Sequence, residues 1–257
     1  MEKWTKAITH ISPTLLGTVG VRAACVWFWR IVDWFFPFCC AGCQVEGVVC
    51  CQSCWAALGF KTTQVCPYCR RESLEGRTCL DCCGKGNLDG LIVLFDYQRD
   101  GVLAKSLHYY KYDQIREYGQ VLKKILVQAG AKWRLWFSKE IDMITWVPMT
   151  RRKQRARGFN QSEELARWVG LGSVVVEVFM KVRESRAQME LNRKGRLVNL
   201  KGAFRVKSGL EVTIKERSVV IIDDIATTLS TLDELAGRLK EAGAKAVYGF
   251  TLARQKS

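Results

Sequence analysis

The sequence predicts an α/β protein, a mainly parallel sheet flanked by helices, preceded by a small cysteine-rich domain. Three observations carry that reading. Val219-Val220-Ile221-Ile222 runs through Asp223-Asp224 into hydroxyl-bearing residues and a helical pattern, and apolar residues resume at 246–252, which makes a βαβ unit. Two further apolar runs, 91–97 and 141–147, are short and rich in Val, Ile, Leu and Phe, as strands buried on both faces are. All 12 cysteines lie before Gly84, so the second two-thirds of the chain builds its core without them.

Length allows one domain of roughly 150 to 200 residues and a smaller module. A hydrophobic content of 48% supports a packed core and argues against a disordered chain. The net charge of +15 favours a polyanionic partner, be it nucleic acid, an anionic membrane or a phosphorylated substrate.

In chain order, residues 14–38 are the one stretch apolar enough to suggest a membrane or targeting segment, but Arg22, Arg30 and Asp33 interrupt it. Neither a spanning helix nor a signal peptide fits well. An amphipathic helix over 1–36, packed on the body of the protein, is expected; Trp27, Phe28, Trp29, Trp34, Phe35 and Phe36 offer membrane or partner contact as the alternative.

The cysteines then pair at one spacing: Cys40 with Cys43, Cys51 with Cys54, Cys66 with Cys69 and Cys79 with Cys82. Two cysteines separated by two residues can turn both thiolates toward one tetrahedral ion at about 2.3 Å, so two pairs complete a closed structural zinc site. The four pairs predict one or two zinc ions. A disulfide framework would use the same residues, but no export signal accompanies them. Cys39, Cys50 and Cys83 adjoin paired cysteines and leave the register open by one position, while Cys25 stands apart.

Residues 84–87 look like a linker into the second domain, whose first strand, 91–97, is followed by a helical pattern over 101–128. Within it, Lys105-Ser106-Leu107-His108-Tyr109-Tyr110-Lys111-Tyr112 interleaves cations and aromatics. That mix can stack bases and hold phosphates, but an amphipathic helix with a solvated face looks the same and is the preferred reading. His108, without a metal-spaced partner or triad, reads as structural.

The strand over 141–147 ends at Pro148, and the most charged loop of the chain follows, with Arg151, Arg152, Lys153, Arg155 and Arg157. Ligands of open α/β sheets sit beyond the carboxyl ends of strands, so these cations suit a pyrophosphate or a nucleic-acid backbone. A further strand is expected over 173–179. In the last βαβ unit, Thr231 and Glu234 match a capping box for the helix after Asp223-Asp224, and Gly243 is its expected stop. The turn places two carboxylates and a row of hydroxyl and amide groups at a helix N-terminus, where an anion is favoured.

Pro148 with the arginine-rich loop and Arg157-Gly158-Phe159-Asn160-Gln161, then Gln188-x-x-Leu191, Arg196-x-x-Asn199 and Gly202-Ala203-Phe204, then Asp223-Asp224, resemble the ComF family from about residue 32 to residue 252. The resemblance implies a double zinc ribbon over 37–86 and a type I phosphoribosyltransferase-like domain over 87–257. It implies that Asp223 and Asp224 meet the ribose hydroxyls of phosphoribosyl pyrophosphate (PRPP), and that Thr227, Thr228, Leu229, Ser230 and Thr231 cradle its 5′-phosphate. Pro148, Arg151, Arg152, Arg155, Arg157, Asn160 and Gln161 would face pyrophosphate, close as a lid or meet DNA, with Mg²⁺ accompanying PRPP. The implied role is handling of transforming single-stranded DNA in the cytoplasm, or at the inner face of the membrane without an integral span, alongside competence and recombination proteins. The alternative is an active phosphoribosyltransferase with a nitrogen nucleophile as acceptor. One departure stands out: the PRPP turn of this superfamily usually carries glycine where this chain has Leu229. A leucine forced to positive φ would cost on the order of 1–2 kcal/mol and put a side chain over the phosphate.

Overall fold

The computed structural model describes residues 38–113, 115–137, 141–170, 174–182 and 202–255, with side chains for all of these except 130–137. The expected helix over 1–36, Cys25, and the Gln188, Leu191, Arg196 and Asn199 motifs lie outside the described residues. Among those described, no helix is long and apolar enough to cross a membrane.

A cysteine-rich segment with one short helix, α1 (Gln52–Ala56), precedes an α/β body. The body runs β1 (Gly90–Asp96), α2 (Val102–Lys111), α3 (Glu117–Phe137), β2 (Met143–Trp146), α4 (Arg151–Arg157), α5 (Gln161–Val169), β3 (Val174–Val175), β4 (Phe179–Lys181) and β5 (Phe204–Val206). It closes with α6 (Glu211–Ile214), β6 (Ser218–Ala226), α7 (Ser230–Glu241) and β7 (Ala246–Arg254). Five strands form one sheet in the order β1-β7-β6-β2-β3, every pairing parallel. β4 and β5 form a separate antiparallel pair.

Strand period places successive residues on opposite faces. Val220 and Ile222 therefore join one core cluster, with α2, α3 and α5, while Val219 and Ile221 join another, with α7. In α7 the apolar positions Leu232, Leu235, Ala236 and Leu239 are all buried, and Gly243, at φ +88°, follows its end as expected.

Four expectations change. The helical pattern over 101–128 is two helices, α2 and α3, because the chain turns after Lys111 and folds α3 back against α2. The expected strand over 173–179 joins the five-stranded sheet only at Val174–Val175; the chain then leaves the sheet edge, and Phe179 opens β4, paired with Val206 and buried with Phe204 in the second cluster. The arginine-rich loop is a helix, α4. Thr150 caps it through Lys153 N–H at 3.4 Å, its residues lack Gly and Pro, and Gly158 at φ +83° ends it. The capping box is absent: α7 begins one residue before Thr231, behind Leu229, and Glu234 instead accepts from Arg238 and from Gly202 N–H at 3.0 Å.

The cysteine-rich segment is docked on the body. Residues 61–64 run along the open edge of β1, where Gln64 Nε2 donates to Val93 O and Val93 N–H donates to Gln64 Oε1, both at 3.0 Å. A side-chain amide thus satisfies backbone groups that a sixth strand would otherwise pair. The residues expected as a linker are held too, since Asn87 N–H donates to Asp233 Oδ1 at 2.8 Å.

Candidate functional site

The sheet order reverses between β2 and β6: β2 leads outward to β3, and β6 leads the other way to β7. The connecting helices α5 and α7 lie on opposite faces, so the loops leaving β2 and β6 diverge and open a crevice at the strands' carboxyl ends. Val147 N–H, donating to Ile222 O at 3.0 Å, carries the pairing up to Asp223. Pro148 and α4 lie on one lip of this crevice, Asp223, Asp224 and residues 227–231 on the other.

The two carboxylates are held apart by their partners. Asp223 Oδ1 accepts from Ser162 Oγ at 3.0 Å and from Asp224 N–H at 2.9 Å. Asp224 is buried and its Oδ2 is paired with Lys111 Nζ, the last residue of α2. Burial raises the Asp223 carboxyl to about 6, against the pull of Lys111 and Ser162. Burial likewise lowers the Lys111 ammonium to about 8, although Asp223 opposes that shift and Arg157 adds to it. Lys111 thus serves both acids, in contact with Asp224 and in charge interaction with Asp223.

Lys111 and Ser162 were not singled out from the sequence. The signal for Lys111 was a cation four residues after Leu107 on the buried face of α2. A lysine there needs an acid, and the acids come from β6, more than a hundred residues later.

The hydroxyl run stands at the start of α7. Thr227 is exposed, Thr228, Leu229 and Thr231 are half-buried, Ser230 is buried, and Thr228 Oγ1 lies 3.1 Å from Ser230 Oγ. First-turn amides of a helix have no intrahelical acceptor and point at whatever occupies the mouth of the turn. Leu229 has φ −73° and ψ −3°, ordinary right-handed geometry, and packs against the second core cluster. The strain expected from leucine at that position is absent, because the turn reaches the helix without a positive φ.

On the other lip, Arg151, Arg152, Lys153 and Arg155 are exposed, and no acid pairs with them among the described residues. Arg157 is half-buried; its Nη1 donates to Gln161 Oε1 at 2.5 Å, and its guanidinium lies 5.2 Å from the Tyr112 ring centre. Asn160 has both polar atoms engaged: Oδ1 caps α5 through Ser162 N–H at 3.0 Å, and Nδ2 donates to Val147 O at 3.1 Å. Asn160 and Gln161 therefore shape the lip from beneath, while the four cations face outward.

The eight paired cysteines gather as two groups, Cys40, Cys43, Cys51 and Cys54, and Cys66, Cys69, Cys79 and Cys82, with all four sulfurs of each within 4.8 Å of one another. This settles the register: Cys39, Cys50 and Cys83 belong to neither group. The groups are built alike. Cys51 N–H donates to Cys40 Sγ at 3.3 Å and Cys79 N–H to Cys66 Sγ at 3.5 Å, and each first knuckle turns through a positive φ, at Gln44 and at Arg70. A tetrahedron with metal–sulfur distances of about 2.3 Å has edges of about 3.8 Å, and the Cys43–Cys51 and Cys69–Cys79 sulfurs are 3.6 Å apart. Hydrogen bonding to Cys51 and Cys40 pushes the Cys54 thiol up to about 12, and burial with neighbouring cysteines does the same at Cys82. Within each group other thiols move the other way, Cys69 being lowered to about 6 by hydrogen bonding with Arg71, so part of each set is already poised as thiolate; four gathered sulfurs fit zinc, and two sites are available.

No family model matches the chain. The DNA utilization protein YhgH of Escherichia coli is 32% identical over 169 residues, spanning 64% of this chain and 71% of that protein. Competence protein ComFC of Streptococcus pneumoniae is 31% identical over 192 residues, 74% of this chain and 80% of that protein. Among solved structures, a purine phosphoribosyltransferase from Pyrococcus horikoshii aligns with 53% of this chain and 84% of its own, at 18% identity and a TM-score of 0.30.

Proposed function

The chain belongs to the ComF family of competence proteins, and on that footing we propose that it binds PRPP at the β2/β6 crevice and handles incoming single-stranded DNA on the cationic lip beside it. The observation that carries this reading is the convergence of Asp223–Asp224, the hydroxyl turn 227–231 and the exposed cations of α4 on one switch point of the sheet.

In this reading Asp223 and Asp224 accept hydrogen bonds from the two ribose hydroxyls, and the hydroxyls and first-turn amides of 227–231 take the 5′-phosphate. Pyrophosphate lies over the turn from Pro148 to Arg151, and Mg²⁺ supplies neutralising charge when PRPP is bound. Lys111 gives Asp224 its counter-charge in the free protein, so a ribose hydroxyl that engages Asp224 competes with an ammonium already there. The zinc-bearing segment has no open coordination position for chemistry and acts as scaffold. The setting is the cytoplasm, with competence and recombination proteins as partners.

A second reading, transfer of ribose 5-phosphate from PRPP to a nitrogen nucleophile, is favoured by the relaxed Leu229. The nitrogen bonds to the anomeric carbon as the bond to pyrophosphate breaks, pyrophosphate leaves with the electron pair, and the nitrogen gives up its proton. The chain would contribute positioning and charge stabilisation of the leaving group. Pyrophosphate release from PRPP separates the readings: release that requires both Mg²⁺ and an added nucleophile, and is abolished by Asp224→Asn, marks an enzyme. Binding of PRPP without release marks a ligand-binding competence factor, and the absence of binding removes both.

A further inference from the structure

Resting on the single-stranded DNA reading, we propose that His108 and Tyr112 form a base-stacking platform, and that a strand crossing the crevice lays its bases there and its phosphates along α4. The polar side of α2 does not end in charge alone. It ends in two exposed rings whose centres lie 5.1 Å apart at an interplanar angle of 42°, and Tyr112 is 65% exposed. Leaving a tyrosine that open forgoes the burial its ring would otherwise gain.

The rings are also joined to the cationic lip. Arg157, in the last turn of α4, holds its guanidinium over Tyr112, and Arg116, just beyond the α2–α3 turn, lies 5.6 Å from the buried Phe159 ring. Arg151, Arg152, Lys153 and Arg155 extend from that junction with no acid paired to them among the described residues. Aromatic faces beside such a row of cations match the chemistry of a single strand, whose bases are unpaired and whose backbone is anionic. A duplex hides its base faces and gains only the cations. Two further groups orient the site: Lys111 is engaged with Asp224, and Asp113 is an exposed acid beside Tyr112, which disfavours phosphate on the α2 side.

Stacking and charge leave different marks on a salt titration, because counterion release counts phosphates and is blind to stacking. Binding of a short labelled oligothymidylate to the full chain is measured across ionic strength for the wild type, the double variant His108→Ala/Tyr112→Ala, and Tyr112→Phe. The double variant is expected to bind roughly 5- to 150-fold more weakly at every salt concentration with an unchanged slope. Tyr112→Phe retains a ring and is expected to bind as the wild type does, and a duplex of equal length is expected to be indifferent to all three. Melting temperatures confirm that these surface changes leave the fold intact. Equal binding by wild type and double variant overturns the platform while leaving the DNA reading standing. A loss shared equally by duplex and single strand, or full competition by a free mononucleotide at matched nucleotide concentration, also overturns it. Failure of the wild type to bind any single strand at low salt is distinct, and removes the DNA reading itself.

Discussion

Lys111 and Asp223 are each held in the protonation state that burial disfavours, and the site's stability follows pH accordingly. Asp223 has a folded-state value near 6, above the ordinary 3.8. A raised acid binds more protons folded than unfolded across that interval, so stability falls as pH rises from about 4 to 6 and the loss persists above it. Asp223→Asn, which keeps the shape and can still accept from Ser162, is therefore expected to melt higher than wild type at pH 7.5 and to lose that advantage at pH 4, while PRPP binding is lost. Thermal melts at the two pH values check it. Leu229 calls for the opposite of what its sequence position suggests. With φ at −73° and a half-buried side chain, Leu229→Gly releases no strain, gives up apolar packing and adds backbone freedom at a helix start. We expect a loss of about 1–2 kcal/mol and no gain in PRPP affinity. Denaturant titration and calorimetry on the variant test the two halves separately. The leucine itself was plain in the sequence; its φ was not, because backbone geometry at a turn depends on how the strand and helix on either side are set.

Among the elements, α4 carries the cleanest electrostatic test. Its cations are exposed and contribute little to folding, so replacing Arg151, Arg152 and Arg155 with Ala is expected to change stability by less than about 0.5 kcal/mol. The same change should lower the salt slope of single-strand binding by about 2, at roughly 0.7 for each phosphate that is no longer neutralised. A slope unchanged in the variant places the DNA elsewhere. β6 and α7 were legible because their patterns were local: the unbroken apolar run Val219–Ile222, buried on both faces, and the single face of Leu232, Leu235, Ala236 and Leu239. The arginine stretch misled because charge density suggests a loop, whereas Arg, Lys, Gln and Ala are all good helix formers and Thr150 with Gly158 supplied both ends. The site was legible on the β6 side and not on the α2 side, since nothing in the sequence near Lys111 announces the acids it meets. Those contacts exist only once β7 has been laid between β1 and β6 and α2 has packed on the face that Val220 and Ile222 present.

Across the whole molecule, the cysteine-rich segment and the crevice are mechanically joined. Tyr68, inside the Cys66–Cys69 knuckle, donates from Oη to Asp233 Oδ1 at 2.6 Å in the first turns of α7, and accepts from Leu88 N–H at 2.8 Å. Arg254, at the end of β7, donates to Pro67 O at 2.6 Å. Removing the metal should therefore loosen more than the knuckles. Metal analysis is expected to give two zinc ions per chain, and chelation is expected to lower the melting temperature and to expose the β1 edge to proteolysis near residues 61–64. The central claim is that one crevice between β2 and β6 holds PRPP through Asp223–Asp224 and the turn before α7. Calorimetric titration of the full chain with PRPP and Mg²⁺, run beside Asp224→Asn, tests it most directly. We predict saturable one-site binding in the wild type and its loss in the variant; no heat in the wild type, or equal affinity in both, would contradict the claim.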